Sequence, residues 1–311
     1  MSCNFNDNKK ASACVFAVEA LINLAKKDDK IIVLTADVAH STEVIRFKEV
    51  FPDRFINVGI AEQNLIAVAS GLARVGFKPY VALFSSFASK RALDFIFADV
   101  CYPDLPITIL ATHGGTSFGE AGPTHHALCD ITIIKSLPNI KVVVPADAKQ
   151  AEKVIINTKD YNHPLYVRLN RGLDYLLEKE SEFEMNIADI LKEGKDGYIL
   201  ANGSCVHESL MASKTLLESG LDYGVINVHT LPDIDVDCIK KAAKTGKIIT
   251  VEEGRTYGLG SSVATVLAKM GMAVSFEMLG IDGISPIGSH EELIKINGVG
   301  RDKIVEVAKR L

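Results

Sequence analysis

Ile31-Ile32-Val33-Leu34 is an unbroken apolar run rich in β-branched side chains. A strand that alternates with polar residues has one wet face. A continuous run such as this one suits a strand covered on both faces, as in a parallel sheet. Working outward, helical periodicity precedes it near 10–27 and follows it near 62–77. Further apolar runs lie at 79–84, 106–112, 141–144 and 164–169, then at 197–201, 222–228, 247–252 and 273–279. Between them the periodicity predicts helices near 88–101, 128–136, 147–158, 204–219, 234–244, 258–270 and 299–310. Regular alternation of strand and helix predicts an α/β fold of two doubly wound parallel-sheet domains, with helices on both faces.

The alternation breaks over 173–195, a charged stretch containing Glu178, Lys179, Glu180, Glu182, Glu184, Lys192, Glu193 and Lys195. It reads as a crossover with one short helix around 187–192, joining a first domain over 8–172 to a second over 196–311. A chain of 311 residues fits two domains. Hydrophobic residues make up 48% and charged residues 23%, ordinary usage for a globular chain. With 34 basic against 39 acidic side chains the net charge is -5, which offers no field for nucleic-acid phosphates. No apolar run approaches the length of a membrane helix, and Met-Ser-Cys-Asn-Phe-Asn-Asp-Asn at the start has no signal-like core. Cysteines 3, 14, 101, 129, 205 and 238 form no Cys-x-x-Cys pair and suit reduced thiols. The expectation is a cytoplasmic protein with no nucleic-acid or membrane partner.

Several stretches could carry chemistry. Val58-Gly59-Ile60-Ala61-Glu62-Gln63-Asn64 turns through a glycine into a helix with an acid in its first turn. The helix dipole alone accounts for such an acid. The functional reading is a carboxyl desolvated by Ile60, Ala61, Leu65 and Ile66, its pKa raised, exchanging a proton with a ligand nitrogen. His113-Gly114-Gly115-Thr116-Ser117-Phe118-Gly119-Glu120-Ala121-Gly122-Pro123-Thr124-His125-His126 follows a predicted strand. Loops at the carboxyl ends of parallel strands build sites. Glycines admit a ligand to the backbone, and histidines suit proton transfer with hydroxyls. The spacing matches no metal-ligand motif, so no metal is assigned to this chain. Phe84 and Phe87 could line a pocket for a flat ring or simply be core. Arg168 and Arg171, at a strand end, could meet a phosphate or be solvated. Gly258-Leu259-Gly260 is only a fragment of a dinucleotide loop.

In order and spacing these segments resemble the C-terminal half of a transketolase. Gly59-Ile60-Ala61-Glu62-Gln63-Asn64 is similar to the stretch bearing the glutamate that contacts the thiamine pyrimidine. Gly119-Glu120-Ala121-Gly122-Pro123-Thr124-His125 is similar to the family's Gly-Glu-Asp-Gly-Pro-Thr-His loop, with His113 twelve residues upstream. Leu137-Pro138-Asn139, Pro145-Ala146-Asp147-Ala148, Gly203-Ser204-Cys205-Val206-His207, His229-Thr230-Leu231 and Val251-Glu252-Glu253 also fit. The family's Gly-Asp-Gly motif for the diphosphate and metal is missing from the sequence. The resemblance therefore implies the second subunit of a split transketolase.

That resemblance implies thiamine diphosphate as cofactor, with a divalent metal (Mg or Ca) held by an N-terminal partner subunit. It implies self-association, giving a heterotetramer, and transfer of a two-carbon ketol unit between sugar phosphates. Glu62 would contact the pyrimidine, Phe87 and Phe84 would pack on it, and Asp37 would stand near the cofactor. His113 and His125 would be the base and the hydroxyl contacts. Arg171, with Arg91 behind it, would hold a distal phosphate. One position departs from the family: Ala121 stands where an aspartate contacts a substrate hydroxyl, so the sugar preference is expected to differ. The resemblance also admits a deoxyxylulose-phosphate-synthase-like subunit, a 2-oxo-acid dehydrogenase β-like subunit, and a non-catalytic interaction protein on the same fold.

Overall fold

A computed structural model describes residues 9–177 and 183–311. Glu178, Lys179, Glu180 and Glu182 of the predicted crossover lie outside the described residues. In chain order the strands are β1 (Lys10–Ala11), β2 (Ile31–Thr35), β3 (Phe55–Asn57), β4 (Lys78–Phe84), β5 (Thr108–Thr112), β6 (Lys141–Val143) and β7 (Leu165–Arg168). They continue as β8 (Asp174–Tyr175), β9 (Asp189–Lys192), β10 (Gly197–Ala201), β11 (Tyr223–Asn227), β12 (Thr230–Leu231), β13 (Lys247–Val251) and β14 (Ser275–Leu279). The helices are α1 (Ala13–Ala25), α2 (Ile45–Val50), α3 (Glu62–Arg74), α4 (Ser85–Ala88), α5 (Leu93–Phe95), α6 (Asp130–Ile134) and α7 (Ala148–Asn157). After them come α8 (Cys205–Glu218), α9 (Val236–Ala243), α10 (Leu259–Met270), α11 (His290–Ile296) and α12 (Arg301–Arg310).

The first sheet has the order β12-β6-β7-β5-β4-β2-β3, parallel throughout except for β12. The second has the order β14-β13-β10-β11-β9, parallel except for β9. Both are the α/β sheets that the apolar runs predict. Strand order reverses at β2 in the first sheet and at β10 in the second. The crevice beyond the carboxyl ends of strands at such a reversal is where open α/β sheets hold ligands.

All five residues of β2 are buried, and alternation sends them to two different cores. Ile31 and Val33 join Val18, Leu21, Val154 and Ile155 where α1 and α7 cover one face. Ile32 and Leu34 join Leu65 and Ile66 of α3 on the other. That second core does not stop at a domain boundary. It runs through Ile131, Val142 and Leu231 into Leu200 and Ile226 of the second sheet and Leu259 of α10. The two predicted domains therefore share an apolar layer. β12 reinforces it: Thr230 and Leu231 pair antiparallel with Val143 and Val142, closing an edge of the first sheet with chain from the second half. Local capping sets several helix starts, with Ser12, Asp147 and Asp235 each accepting a backbone N–H at its N-cap.

Two sequence expectations need correction. Residues 189–192 are not a helix but strand β9, held antiparallel against β11. The 173–195 stretch also contributes β8, which pairs with β1 through Lys10 and Tyr175. Isolated edge strands take their structure from a distant partner, which local periodicity does not register. The periodicity does not register helices α2 and α11 or strands β1, β3 and β12. Among the described residues no helix is long and apolar enough to cross a membrane.

Leu34 is fully buried in the shared core, whereas Leu217 on α8 is half exposed. Leu34→Ala should cost about 2–5 kcal/mol in urea unfolding, and Leu217→Ala about 0.5 kcal/mol or less. Equal costs would contradict this assignment of the core.

Candidate active site

The loops leaving β2, β3, β4 and β5 at their carboxyl ends carry most of the candidate residues. Asn57, the last residue of β3, organises two of them. Its amide oxygen accepts from the N–H groups of Asp37 and Gly59, both at 3.0 Å, and its Nδ2 donates to Asp37 Oδ1 at 3.0 Å. Asp37 has a φ of 62° and Gly59 a φ of 79°, so this side chain braces two left-handed turns. A small cavity of about 210 Å³ opens here, with Asp37, His40, Lys48 and Asn57 among its walls. Nothing in the local sequence marked Asn57.

The turn delivers Glu62 to the first position of α3, where the positive end of the helix dipole favours an acid. Its carboxylate is buried at 4% exposure. Oε1 accepts from Arg91 Nη1 at 2.7 Å, while Oε2 is buried without a hydrogen-bond partner. A buried oxygen of this kind is costly unless a donor arrives. The predicted apolar surround differs in one respect: Ile60 points outward and is largely exposed. Arg91 also stacks over Phe87, its guanidinium 4.4 Å from the ring centre. It is thus engaged by Glu62 and Phe87 in this structure.

From Phe87 an aromatic wall continues to the histidines. Phe84 and Phe87 stack at 5.7 Å and 28°. His113 lies against Phe84 at 4.0 Å and Phe118 at 4.9 Å. His125 lies against Phe87 at 5.4 Å and Phe118 at 5.6 Å. Glu62, Phe84, Phe87, His113 and His125 are therefore joined through successive contacts. His113 is buried in the left-handed region, with φ 60°. Its Nδ1 is 2.9 Å from Thr112 Oγ1, and its Nε2 is buried and unpartnered. Burial, reinforced by Arg171 and His125, lowers its pKa to about 3. His113 is thus a neutral imidazole at physiological pH, with one buried nitrogen left without a hydrogen-bond partner. His125 is half-buried, with Nδ1 3.0 Å from Thr124 Oγ1. Arg171 lies over the Phe118 ring at 4.6 Å and meets Glu120 at 3.5 Å. Ala121 ends a short 3-10 turn, Gly119–Ala121, and is half-buried. Asp37 joins this group only through Asn57 and the Gly59 turn.

The second domain grips this same loop. Glu253, just past β13, is 1% exposed. Its Oε1 accepts from Thr116 N and Thr116 Oγ1, each at 2.6 Å, and from His290 Nε2 at 3.0 Å. Its Oε2 accepts from Ser204 Oγ at 2.6 Å. Arg168 does not face a phosphate site. It is 3% exposed, donates to Asp130 Oδ2 at 2.9 Å, and reaches the carbonyls of Ala127 and Glu253 at 3.2 and 2.8 Å. Burial beside Asp130 makes it a tie between domains. The loop glycines fit around these groups: a Cβ on Gly114 would lie 2.8 Å from Arg168, and one on Gly115 2.5 Å from Glu253. Gly258 and Gly260 likewise serve a carboxylate. Gly260 N donates to Glu252 Oε1 at 2.9 Å, and a Cβ on Gly258 would meet Glu252 Oε2 at 2.1 Å.

The geometry defines a two-domain α/β chain with a half-satisfied carboxylate and a wall of phenylalanines and histidines at its first switch point. Residues 12–174 match the model of the transketolase pyrimidine binding domain, and residues 187–304 that of the transketolase C-terminal domain. A putative transketolase C-terminal section of Methanocaldococcus jannaschii is 38% identical over 298 residues, covering 94% of this chain and 93% of that protein. An apulose-4-phosphate transketolase subunit of Phocaeicola vulgatus is 33% identical, covering 93% of this chain and 94% of that protein. Among solved structures, a split gene transketolase described as an inactive β4 tetramer aligns with a TM-score of 0.88 at 33% identity, covering 97% of this chain and 98% of that one. The chain belongs to the transketolase family.

His290 begins α11, whose start is fixed by the Ser289–Glu292 capping box. A cation is unfavourable at that helix end. Burial disfavours the charge as well, yet Glu253 and Asp174 outweigh burial and the opposing Arg168, raising the His290 pKa to about 9. A histidine raised in this way stabilises fully below its unfolded value near 6.5, and the contribution is lost as pH rises through about 9. The melting temperature of the wild-type chain should therefore fall between pH 7 and 10. His290→Gln should lower it at pH 7 and flatten that alkaline decline. Parallel curves for the two proteins would contradict the ion pair.

Proposed function

We propose that this chain is one half of a split transketolase, giving Glu62 and the histidine loop to a thiamine-diphosphate site completed by an N-terminal partner chain. The observation that carries this reading is the buried Glu62 carboxylate. One oxygen is bonded to Arg91 and the other is left without a donor at the end of an aromatic wall. The residues fit an aminopyrimidine: Oε2 lacks the N–H or N-bound proton that such a ring presents, and Phe84 with Phe87 offers it a flat apolar surface. When bound, thiamine diphosphate supplies the carbon that cleaves and re-forms the bond beside a ketose carbonyl. The partner would hold its diphosphate and metal.

The chain's own groups have distinct tasks. Glu62 holds a proton shared with the pyrimidine nitrogen, with Arg91 fixing the carboxylate. His113, neutral and unpartnered at Nε2, and His125, half-buried across Phe118, receive the substrate hydroxyls. One of them takes the hydroxyl proton as the carbon–carbon bond breaks and returns it to the acceptor's carbonyl oxygen. Arg171 receives the distal phosphate of the sugar, with Glu120 as its counter-ion until substrate arrives. Similarity to proteins described as a C-terminal section and as one subunit of a transketolase supports a separate partner chain. Similarity to an inactive β4 tetramer supports self-association and inactivity without that partner.

The test is a ketol-transfer assay with and without the partner chain. The mixture should move a two-carbon unit from a ketose phosphate to an aldose, and the isolated chain should show negligible turnover. Decarboxylation of pyruvate in place of ketol transfer would overturn the reading. Glu62→Gln retains an oxygen for Arg91 but loses the exchangeable carboxyl proton. It should lower kcat by roughly 100-fold or more with little change in melting temperature. Loss of stability with activity retained would make Glu62 a structural cap.

Ala121 generates a separate prediction about the sugar. A methyl group accepts no hydrogen bond, so a hydroxyl directed at it is left unpaired at a cost of about 1–3 kcal/mol. Ala121→Asp should then raise kcat/KM for ordinary ketose phosphates by roughly tenfold to a hundredfold relative to the enzyme's own donor. An unchanged ratio between the two substrates would remove Ala121 from the account of specificity.

A further inference from the structure

We infer that Glu253, supported by His290 and Ser204, is a positioning residue that holds the histidine loop in its working shape from the second domain. The inference rests on the function proposed above for His113 and His125. Its structural basis is independent of that function.

The carboxyl ends of β10 and β13 flank the switch point of the second sheet, the crevice where such a sheet would receive a ligand. Part of that crevice is filled by the first domain. Ser204 comes from the loop after β10 and Glu253 from the loop after β13. Between them the carboxylate takes the N–H and hydroxyl of Thr116, three residues from His113. Thr116 itself is fully buried. The docked loop is then closed at its neck, where Ala127 N donates to Gly115 O at 2.9 Å. Farther along, Gly288 N donates to Gly119 O at 3.5 Å, a close passage that leaves no room for a Cβ on Gly119.

This docking bears on the reaction because His113 occupies a strained left-handed conformation with no glycine freedom. Such a conformation persists only where its surroundings hold it. Upstream it is fixed by β5, and downstream by Gly114 N, which donates to the Leu169 carbonyl at 3.0 Å, and by the docked backbone of Thr116. Releasing Thr116 allows His113 to relax and the edge-to-face His113–Phe118–His125 contacts to separate. A displacement of about 1 Å at a reacting group lowers turnover by up to roughly 100-fold.

The residues divide the roles in a testable way. Glu253→Ala removes every acceptor. Glu253→Gln retains one oxygen for Thr116 and His290 and turns an amide toward Ser204 Oγ. Thr116→Val removes one donor while leaving the backbone N–H and the shape. Hydrogen exchange of the full-length chain, read by mass spectrometry, measures the loop without any cofactor, substrate or partner. Ketol transfer by the chain with its partner measures the consequence.

Glu253→Ala should raise exchange over 113–118 by roughly tenfold or more while β10 and β11 keep wild-type protection. Thr116→Val should give a smaller rise at the same peptides. In the complex, kcat should fall in the order Gln, then Ala, with KM for the aldose changed less than kcat. Exchange over 113–118 within twofold of wild type in Glu253→Ala, or kcat unchanged despite a loosened loop, would overturn the inference. If Glu253→Ala loses protection everywhere, Thr116→Val decides: an unchanged loop there overturns the inference equally. A wild-type complex with no ketol transfer would defeat the functional proposal, and the catalytic part of this inference with it, while the exchange result would still decide whether Glu253 holds the loop.

Discussion

The buried charges of Arg168, Asp130 and Glu253, with the half-buried His290 beside them, are the constraint from which the rest of the arrangement follows. Arg168 ends β7 of the first sheet, and Glu253 follows β13 of the second. Both are almost fully removed from solvent. A buried charge without its partner costs about 3–5 kcal/mol when the pair is broken, so none of these groups can turn outward without heavy loss. Arg168 spans Asp130, the Ala127 carbonyl and the Glu253 carbonyl. It fixes the two sheets to one another and to both ends of the histidine loop. The shared apolar layer and the borrowed edge strand β12 supply area. The charge cluster supplies register, because its hydrogen bonds join named atoms of β7, the histidine loop and the loop after β13.

That register explains the form of the cleft. The first sheet alone would present Phe84, Phe87 and Glu62 at its switch point, since each is placed by a strand end or a helix start. The histidine loop is long and glycine-rich, and its own sequence gives it little rigidity. Its shape comes from Thr116 on Glu253 and from the close passage of Gly114 and Gly115 over Arg168 and Glu253. Glycines that suggest room for a ligand are, at these two positions, room for the protein's own charged side chains. The same lesson holds at Gly258 and Gly260, where a likeness to a phosphate loop is space for Glu252.

How much of this is legible in the sequence follows from how local each feature is. The parallel strands are readable because burial on both faces leaves continuous runs such as 31–34. Strand β9 reads as a helix because an edge strand is defined by a partner, β11, that lies far along the chain. β12, only two residues long, is defined by β6 in the same way. Glu62, Phe84, Phe87, His113 and His125 can be singled out because each lies within a few residues of a strand end or a marked turn. Their partners cannot. Arg91 is 29 residues from Glu62, and Glu253 is 137 residues from Thr116. Arg168 and Arg171 look alike in sequence, yet the first is enclosed between domains and the second stands over Phe118 at the surface. Pairing of distant polar groups is a tertiary property with no periodicity to announce it.

The central claim is that this chain carries half of a cofactor site, with Glu62 as its ligand-facing carboxylate. Calorimetric titration of thiamine diphosphate with a divalent metal present tests it most directly, using the chain alone, the partner alone, and an equimolar mixture of the two. The account predicts tight, saturable binding in the mixture and only weak binding to either chain by itself, with Glu62→Gln weakening the mixture. Equally tight binding by this chain alone, or by the mixture regardless of Glu62, would contradict it.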